Sequence, residues 1–297
     1  MFSTAIPDGA RTVVPRRWAW ALGYLNSNSI VDQNNLAVTD RVIVDGELQR
    51  FELGVKYGLR QRLELGTTVP YLVLGGGYMD EFIDSFEDAF SFTTPRARRI
   101  RGAGEFRYLV RINGQNVIDE TDETIHGLGD LPIQLKYQFR DEPGGLFPQM
   151  AARGMLKLPT ATDPLLGNDR LDGGIGWLAE QPLGSRMRLL VNLDVTSAHL
   201  PLALKTIGID PVVVSGVVGF EHRVTARASW KAQLMIGSNP YPAFDRDITA
   251  LNREPMGIGL GWTYRFPRRA TVTLAAAENV NSAWPDFAWT ASLSGDF

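Results

Sequence analysis

Three histidines, His126, His199 and His222, are the only side chains of this 297-residue chain with an ordinary titration near neutral pH. A general base of the usual kind would be one of them. A serine nucleophile needs such a base within hydrogen-bond reach. Ser197 and His199 come closest to that spacing, at a loop edge, and no histidine alternates with a serine along a single strand. His199 therefore reads as a loop residue and His222 as turn surface. His126 lies near Asp119, Glu120, Asp122 and Glu123, so an incidental divalent-ion site or a solvated acidic loop is expected there. Gly75, Gly76 and Gly77 follow an apolar run but lack the other residues of a phosphate-binding loop. With no cysteine, thiol catalysis, disulfides and Cys-based metal sites are excluded. The residues call for no cofactor, no metal and no catalytic group.

What the sequence offers instead is fixed charge at alternate positions. Between apolar residues stand Glu52, Lys56, Glu64, Asp130, Lys136, Arg153, Lys157, Arg188, Asp194 and Lys231. Arg60, Arg62, Arg140, Arg186, Arg227 and Arg265 sit near the ends of the same runs. Yet the net charge is only −3 and the pI about 5.7, which is no footprint for a nucleic acid.

The elements that hold these charges are two-sided strands. Phe51, Leu53, Val55, Tyr57 and Leu59 alternate with Glu52, Gly54, Lys56, Gly58 and Arg60. Leu131 to Phe139, Met187 to Val195 and Met256 to Phe266 repeat the pattern, as does the terminal DFAWTASLSGDF. Twelve such runs are predicted, near 16–27, 48–60, 61–73, 128–140, 147–158, 173–181, 186–197, 211–221, 226–237, 255–266, 269–279 and 287–297. Most have the ten or so residues that a tilted strand needs to cross a bilayer. No window approaches the apolar length of a transmembrane helix, and the mean hydropathy is −0.10.

Links after even-numbered runs are short, as in LRQR and QPLGS. Those after odd-numbered runs are mostly long: about 32–46, 74–127, 159–172, 198–210, 238–254 and 280–286. Aromatic residues gather at the run ends, among them Tyr57, Tyr137, Phe139, Tyr264, Phe266 and Phe297. These features predict residues 1–297 as one all-β domain: a 12-stranded antiparallel transmembrane β-barrel with short periplasmic turns, long extracellular loops and aromatic girdles. A soluble β-sandwich is the competing architecture. The apolar register then faces lipid and the charged register lines a lumen, either as a wet, mildly anion-favouring channel or as a salt-bridged plug. Residues 1–15, with two prolines, form an N-terminal periplasmic segment that could also enter the lumen. The stretch MFSTAIPDGARTVVPRR lacks the order of a signal peptide, so an envelope location carries the expectation that the export signal lies outside this sequence.

Loop 74–127 is long enough to hold structure of its own. Met79, Phe82, Ile83, Phe86, Ala89 and Phe90 recur at helical spacing against Asp80, Glu81, Asp84, Glu87 and Asp88. The helix is expected as a lid on the barrel mouth, or as an apolar surface, through Phe82, Ile83, Phe86 and Phe90, that captures a solute. Arg96, Arg98, Arg99 and Arg101 are expected to meet the acidic helix or lipopolysaccharide phosphates. Asn113-Gly114 signals a small hairpin.

YGLRQRLELGTTVPYL (57–72), GLGDLPIQLKYQF (127–139) and MLKLPTATD (155–163) resemble a set of bacterial outer-membrane barrels that includes the phenol meta-degradation pathway proteins. GGGYMDEFIDSFEDAF and the motif order over nearly the whole chain look more like a related outer-membrane family defined only as a domain of unknown function. The resemblance implies a twelve-stranded channel for small, often apolar or aromatic, solutes and no catalytic residues. The terminal strand ending at Phe297 resembles the signature read by the barrel-assembly machinery, which is thus an expected partner, with outer-membrane lipid. Passive diffusion is the expected function. A closed structural or partner-binding barrel and a lipid-modifying enzyme are the alternatives.

Overall fold

The computed structural model describes residues 7–35, 40–82, 85, 104–121, 123–141, 148–197, 199, 212–239, 253–267, 270–281 and 285–297. Its one sheet contains β1 (Trp18–Asn35), β2 (Asp40–Arg60), β3 (Leu63–Gly75), β4 (Arg107–Ile112), β5 (Gln115–Thr121), β6 (Ile125–Leu128), β7 (Leu131–Arg140) and β8 (Gln149–Leu158). It continues through β9 (Asp172–Leu183), β10 (Met187–Ser197), β11 (Val212–Arg223), β12 (Ala228–Gly237), β13 (Met256–Arg265), β14 (Thr271–Asn279) and β15 (Phe287–Asp296). All but β4, β5 and β6 build a closed, twelve-stranded antiparallel wall.

Closure is made by β15 on β1, in register from Ala19↔Asp296 to Asn28↔Phe287. At the seam's end Trp18 and Phe297 exchange backbone hydrogen bonds of 3.1 and 3.0 Å. Every wall strand thus has two partners, as hydrocarbon requires of a spanning sheet. Leu260 is 68% exposed, and Leu53, Leu135 and Leu193 are exposed on the same outer register. Lys136, Glu64 and Glu180 lie buried on the inner one. This inversion of the soluble rule identifies lipid as the solvent of the outer face. Trp18 packs on Tyr57 with ring centres 4.5 Å apart, and Tyr264 on Phe266 at 5.0 Å, forming the girdle at the end that carries the short turns. Among the described residues no helix is long and apolar enough to cross a membrane.

Two elements depart from the sequence reading. The expected loop at 32–46 is mostly strand, since β1 and β2 pair without a slip from Trp18↔Tyr57 to Asn35↔Asp40. The tall hairpin persists because β4 pairs with the upper part of β2, from Arg41↔Arg111 to Asp45↔Arg107, where Val42 and Ile43 are buried. The expected strand 128–140 is split into β6 and β7, both on β3, at Gly129-Asp130. There Asp130 accepts from the N–H groups of Thr160 and Ala161, each at 3.1 Å. The predicted hairpin is β4–β5, whose turn residues Asn113 and Gly114 have φ of 50° and 78°, the paired positive values of a type I′ turn.

Replacing Leu260 by Arg places a charge near the middle of the lipid face. The expected loss is about 2–4 kcal/mol, measured by denaturant titration of protein folded into lipid vesicles.

Candidate functional site: a strapped lumen

Inside the wall a short length of chain crosses the barrel. Pro15 bridges Gly58 in parallel, the Arg16 N–H donates to the Gly58 carbonyl at 2.7 Å, and the Gly58 N–H donates to Arg17 at 3.1 Å. From this hinge residues 7–14 run across the periplasmic half of the lumen towards β7–β11. The Val13 N–H donates to Glu64 Oε2 at 2.8 Å, and Arg11 Nε donates to Gln149 Oε1 at 3.1 Å. Ala10 is fully buried against Ala151 and Leu178. Asn192, with its amide oriented to satisfy both groups, accepts from the Asp8 N–H at 3.3 Å and donates to its carbonyl at 3.2 Å.

Glycine makes this crossing possible. A Cβ on residue 58 would lie 2.2 Å from the Val14 carbonyl oxygen, so strap and wall meet where a larger side chain has no room.

The Asp8 side chain sits among three cations. Lys136 Nζ lies 3.3 Å and Lys56 Nζ 3.5 Å from its oxygens, with Arg153 Nη1 at 3.9 Å. Burial alone would raise the Asp8 carboxyl, but the charges of Lys56, Lys136 and Arg153 reverse this and hold it below the usual carboxylate range. Glu64 neutralises two of these cations further, at 3.4 Å from Lys136 and 3.6 Å from Lys56. Arg153 makes a two-pronged contact with Asp194, at 2.9 and 2.6 Å. It lies flat across Gly176, where a Cβ would come 2.8 Å from its Nε.

Other inner charges form separate groups. Arg188 spans Glu180 and Glu221 at 2.9 and 2.7 Å, and Glu52 pairs with Arg50 at 2.5 Å. Lys157 joins Asp130, Asp172, the side chain of Asn168 and the Arg170 carbonyl, which ties the segment after β8 to the extracellular mouth. Lys231 lies in the field of Glu221, Arg188 and Arg265. The sequence reading missed the strap's Asp8 and the wall residues Arg50, Asp172, Glu180 and Glu221. Glu180 and Asp172 escaped because glycines at 173, 174 and 176 blur the alternation of β9. Asp8 carried only one signal, as the sole acid before the first strand.

The strap leaves part of the cross-section open. A cavity of about 640 Å³ lies along β13–β15 and β1–β3, lined by small or hydroxylated residues such as Gly23, Gly54, Thr68, Thr290 and Ser292, with Lys56 and Arg265. A second of about 330 Å³, against Thr12, Val13, Val14 and Arg17, shares Ala19 and Asp296 with it. The larger volume corresponds to roughly twenty waters at the volume each occupies in bulk.

The histidines are dispersed. His126 is on β6 and bonds the Tyr71 hydroxyl at 2.8 Å, His199 pairs with Asp172, and His222 is exposed on β11 rather than in a turn. Ser197 Oγ accepts from the Gly173 N–H at 3.0 Å and donates to its carbonyl at 3.2 Å, a strand-end clamp. Among the described residues no group of three His, Asp or Glu converges as a metal site. In loop 74–127, Asp80, Glu81, Phe82 and Ser85 are helical. The Phe82 ring is 6.1 Å from that of Phe287, on the lipid-facing register and not over the lumen where a lid was expected. Glu47 explains the position: on that same outer register it accepts from the N–H groups of Tyr78 and Met79 and draws the chain outwards. Ile83, Phe86, Phe90 and the arginines at 96, 98, 99 and 101 lie outside the described residues.

Fold and lumen define a twelve-stranded transmembrane barrel of the outer-membrane kind, crossed by its own N-terminal segment. The chain belongs to the family described as "Protein of unknown function (DUF3187)", whose model matches residues 17–297. The strap, residues 7–14, lies before that span. Searching curated proteins gives no match. An outer membrane channel of the COG4313 group from Pseudomonas putida F1 shares the fold, with TM-score 0.64 and 13% identity over 99% of this chain and 100% of that one. Also similar are the toluene transporters TbuX of Ralstonia pickettii (TM-score 0.43, 7% identity, 96% and 90% coverage) and TodX of Pseudomonas putida (0.38, 9%, 95% and 89%).

Gly58→Leu is expected to expel the strap while leaving the wall intact. Trypsin then cuts at Arg11, Arg16 or Arg17 in the variant and spares them in the parent, with heat-modifiable migration on gels reporting a folded barrel. Because the Asp8 carboxyl is depressed in the folded protein, its contribution is fully present above the unfolded value of about 3.9 and is lost as pH falls through the lower folded value. Hydrogen-exchange protection of residues 7–15 is therefore expected to hold from pH 8 to 5, after correction for intrinsic rates. Loss of protection across that range would contradict the assignment.

Proposed function

We propose that the protein is a passive diffusion channel of the bacterial outer membrane for small solutes, apolar or aromatic compounds among them. The observation that carries this reading is the open space running past the strap along β13–β15 and β1–β3, with Ala19 and Asp296 common to both cavities. Small side chains and hydroxyls make up most of its lining, with Glu52, Lys56, Arg265 and Asp296 as its fixed charges. Selection would follow from width and wall charge without an energy input. The fold shared with the Pseudomonas putida channel supports the reading, and we assign the protein no catalytic step. A closed barrel is the second reading, favoured by the ion pairs and strap that fill the β7–β10 side.

Planar-bilayer recording separates the two. Purified full-length protein is expected to show small unitary openings, and removal of residues 1–15 to enlarge them severalfold. Absence of openings above background in both forms would defeat the channel reading.

A further inference from the structure

The charges around Asp8 do not balance without it. Lys56, Lys136 and Arg153 face two wall carboxylates, Glu64 and Asp194. The wall alone therefore presents one surplus positive charge, which the Asp8 carboxylate cancels from 3.3, 3.5 and 3.9 Å. Two of the three cations are set deep in the wall, Lys136 at 2% and Arg153 at 12% exposed, while Lys56 at 36% reaches the open space. A buried cation without its counter-charge is costly, so an opening of the strap would leave a site that demands an anion. Lys56 also lines the larger cavity, so a solute there touches the socket without crossing the strap.

We propose that the Lys56–Lys136–Arg153 socket is a binding site for a small monocarboxylate, which the protein's own Asp8 occupies in the strapped state. The single surplus charge selects a monoanion, because a dianion would leave a buried negative charge in its place. Asn192 holds the Asp8 backbone, and Lys136 also donates to the Gly9 carbonyl at 3.3 Å. A carboxylate solute therefore competes for the cations with Asp8 itself and favours the open form. The socket rests on the channel reading for the route by which its ligand arrives, and names one substrate class for it: organic acids, aromatic acids included.

The test uses full-length protein in detergent, with radiolabelled benzoate and its neutral analogue benzamide in equilibrium dialysis. Asp8→Asn keeps the shape of the strap and removes its charge. The variant is expected to bind benzoate at least about tenfold more tightly than the parent, a difference of about 1.4 kcal/mol, with no gain for benzamide. Adding Lys136→Gln to Asp8→Asn is expected to abolish that gain. Where this double variant lacks heat-modifiable migration, Arg153→Gln in the same background replaces it. Equal benzoate binding by parent and Asp8→Asn, equal gains for benzoate and benzamide, or a gain that survives loss of the socket cation would each overturn the proposal. Binding is read without conduction. Silent bilayers with charge-selective binding would remove the channel and keep the socket, and conduction without such binding would do the reverse.

Discussion

Every backbone N–H and C=O that meets hydrocarbon must find its partner within the protein, because lipid offers none. This constraint requires β15 to close on β1, and the pairing of Trp18 with Phe297 completes the ladder at its periplasmic end. Closure then fixes the rest. A closed sheet has one inside and one outside, so period-two alternation assigns each side chain to lipid or lumen. Leu53, Leu135, Leu193 and Leu260 go outwards and the charged residues between the apolar ones go inwards. The lumen of a twelve-stranded barrel is too wide for its wall residues alone to fill, unlike that of an eight-stranded one, and here a segment of the chain supplies part of the filling.

Inner charges are costly singly and tolerable in neutral groups. Each inner charge accordingly meets opposite charge from neighbouring strands: Arg153 pairs with Asp194, Arg188 and Lys231 face Glu180 and Glu221, and Lys157 bridges Asp130 and Asp172. The socket under Asp8 differs, since its balance needs a residue from outside the wall. Dense pairing on β7–β10 against small residues on β13–β15 also makes the lumen eccentric, with the strap docked to one side and space on the other.

Much of the architecture was legible because alternation is a local property. Met187–Val195 or Met256–Phe266 needs only its own residues to declare two faces, and Asn113-Gly114 declares a turn through the same local chemistry. What escaped depended on distant contacts. Nothing in residues 28–35 and 40–46 shows that β4 will pair with β2 at Arg41–Asp45 and so extend a hairpin that otherwise reads as a loop. The outward course of Tyr78 and Met79 depends on Glu47, more than thirty residues away. The strap could be placed in the lumen only as one option, because its order is imposed by Lys56, Lys136, Arg153 and Asn192 on four separate strands.

The hinge at Pro15–Arg17 joins the strap to β1 with no slack, since Arg16 and Arg17 are already bonded to Gly58 before Trp18 begins the wall. Once unseated, Asp8 stays tethered within nine residues of chain. A flexible tether of such length presents its end group at an effective concentration in the millimolar range. Any free solute contending for the same cations faces that local abundance, so trace amounts outside the cell leave the barrel unmoved and only a plentiful supply displaces the resident group. For a carboxylate bound at the proposed socket, the shortness of the linker would set the concentration needed to displace Asp8.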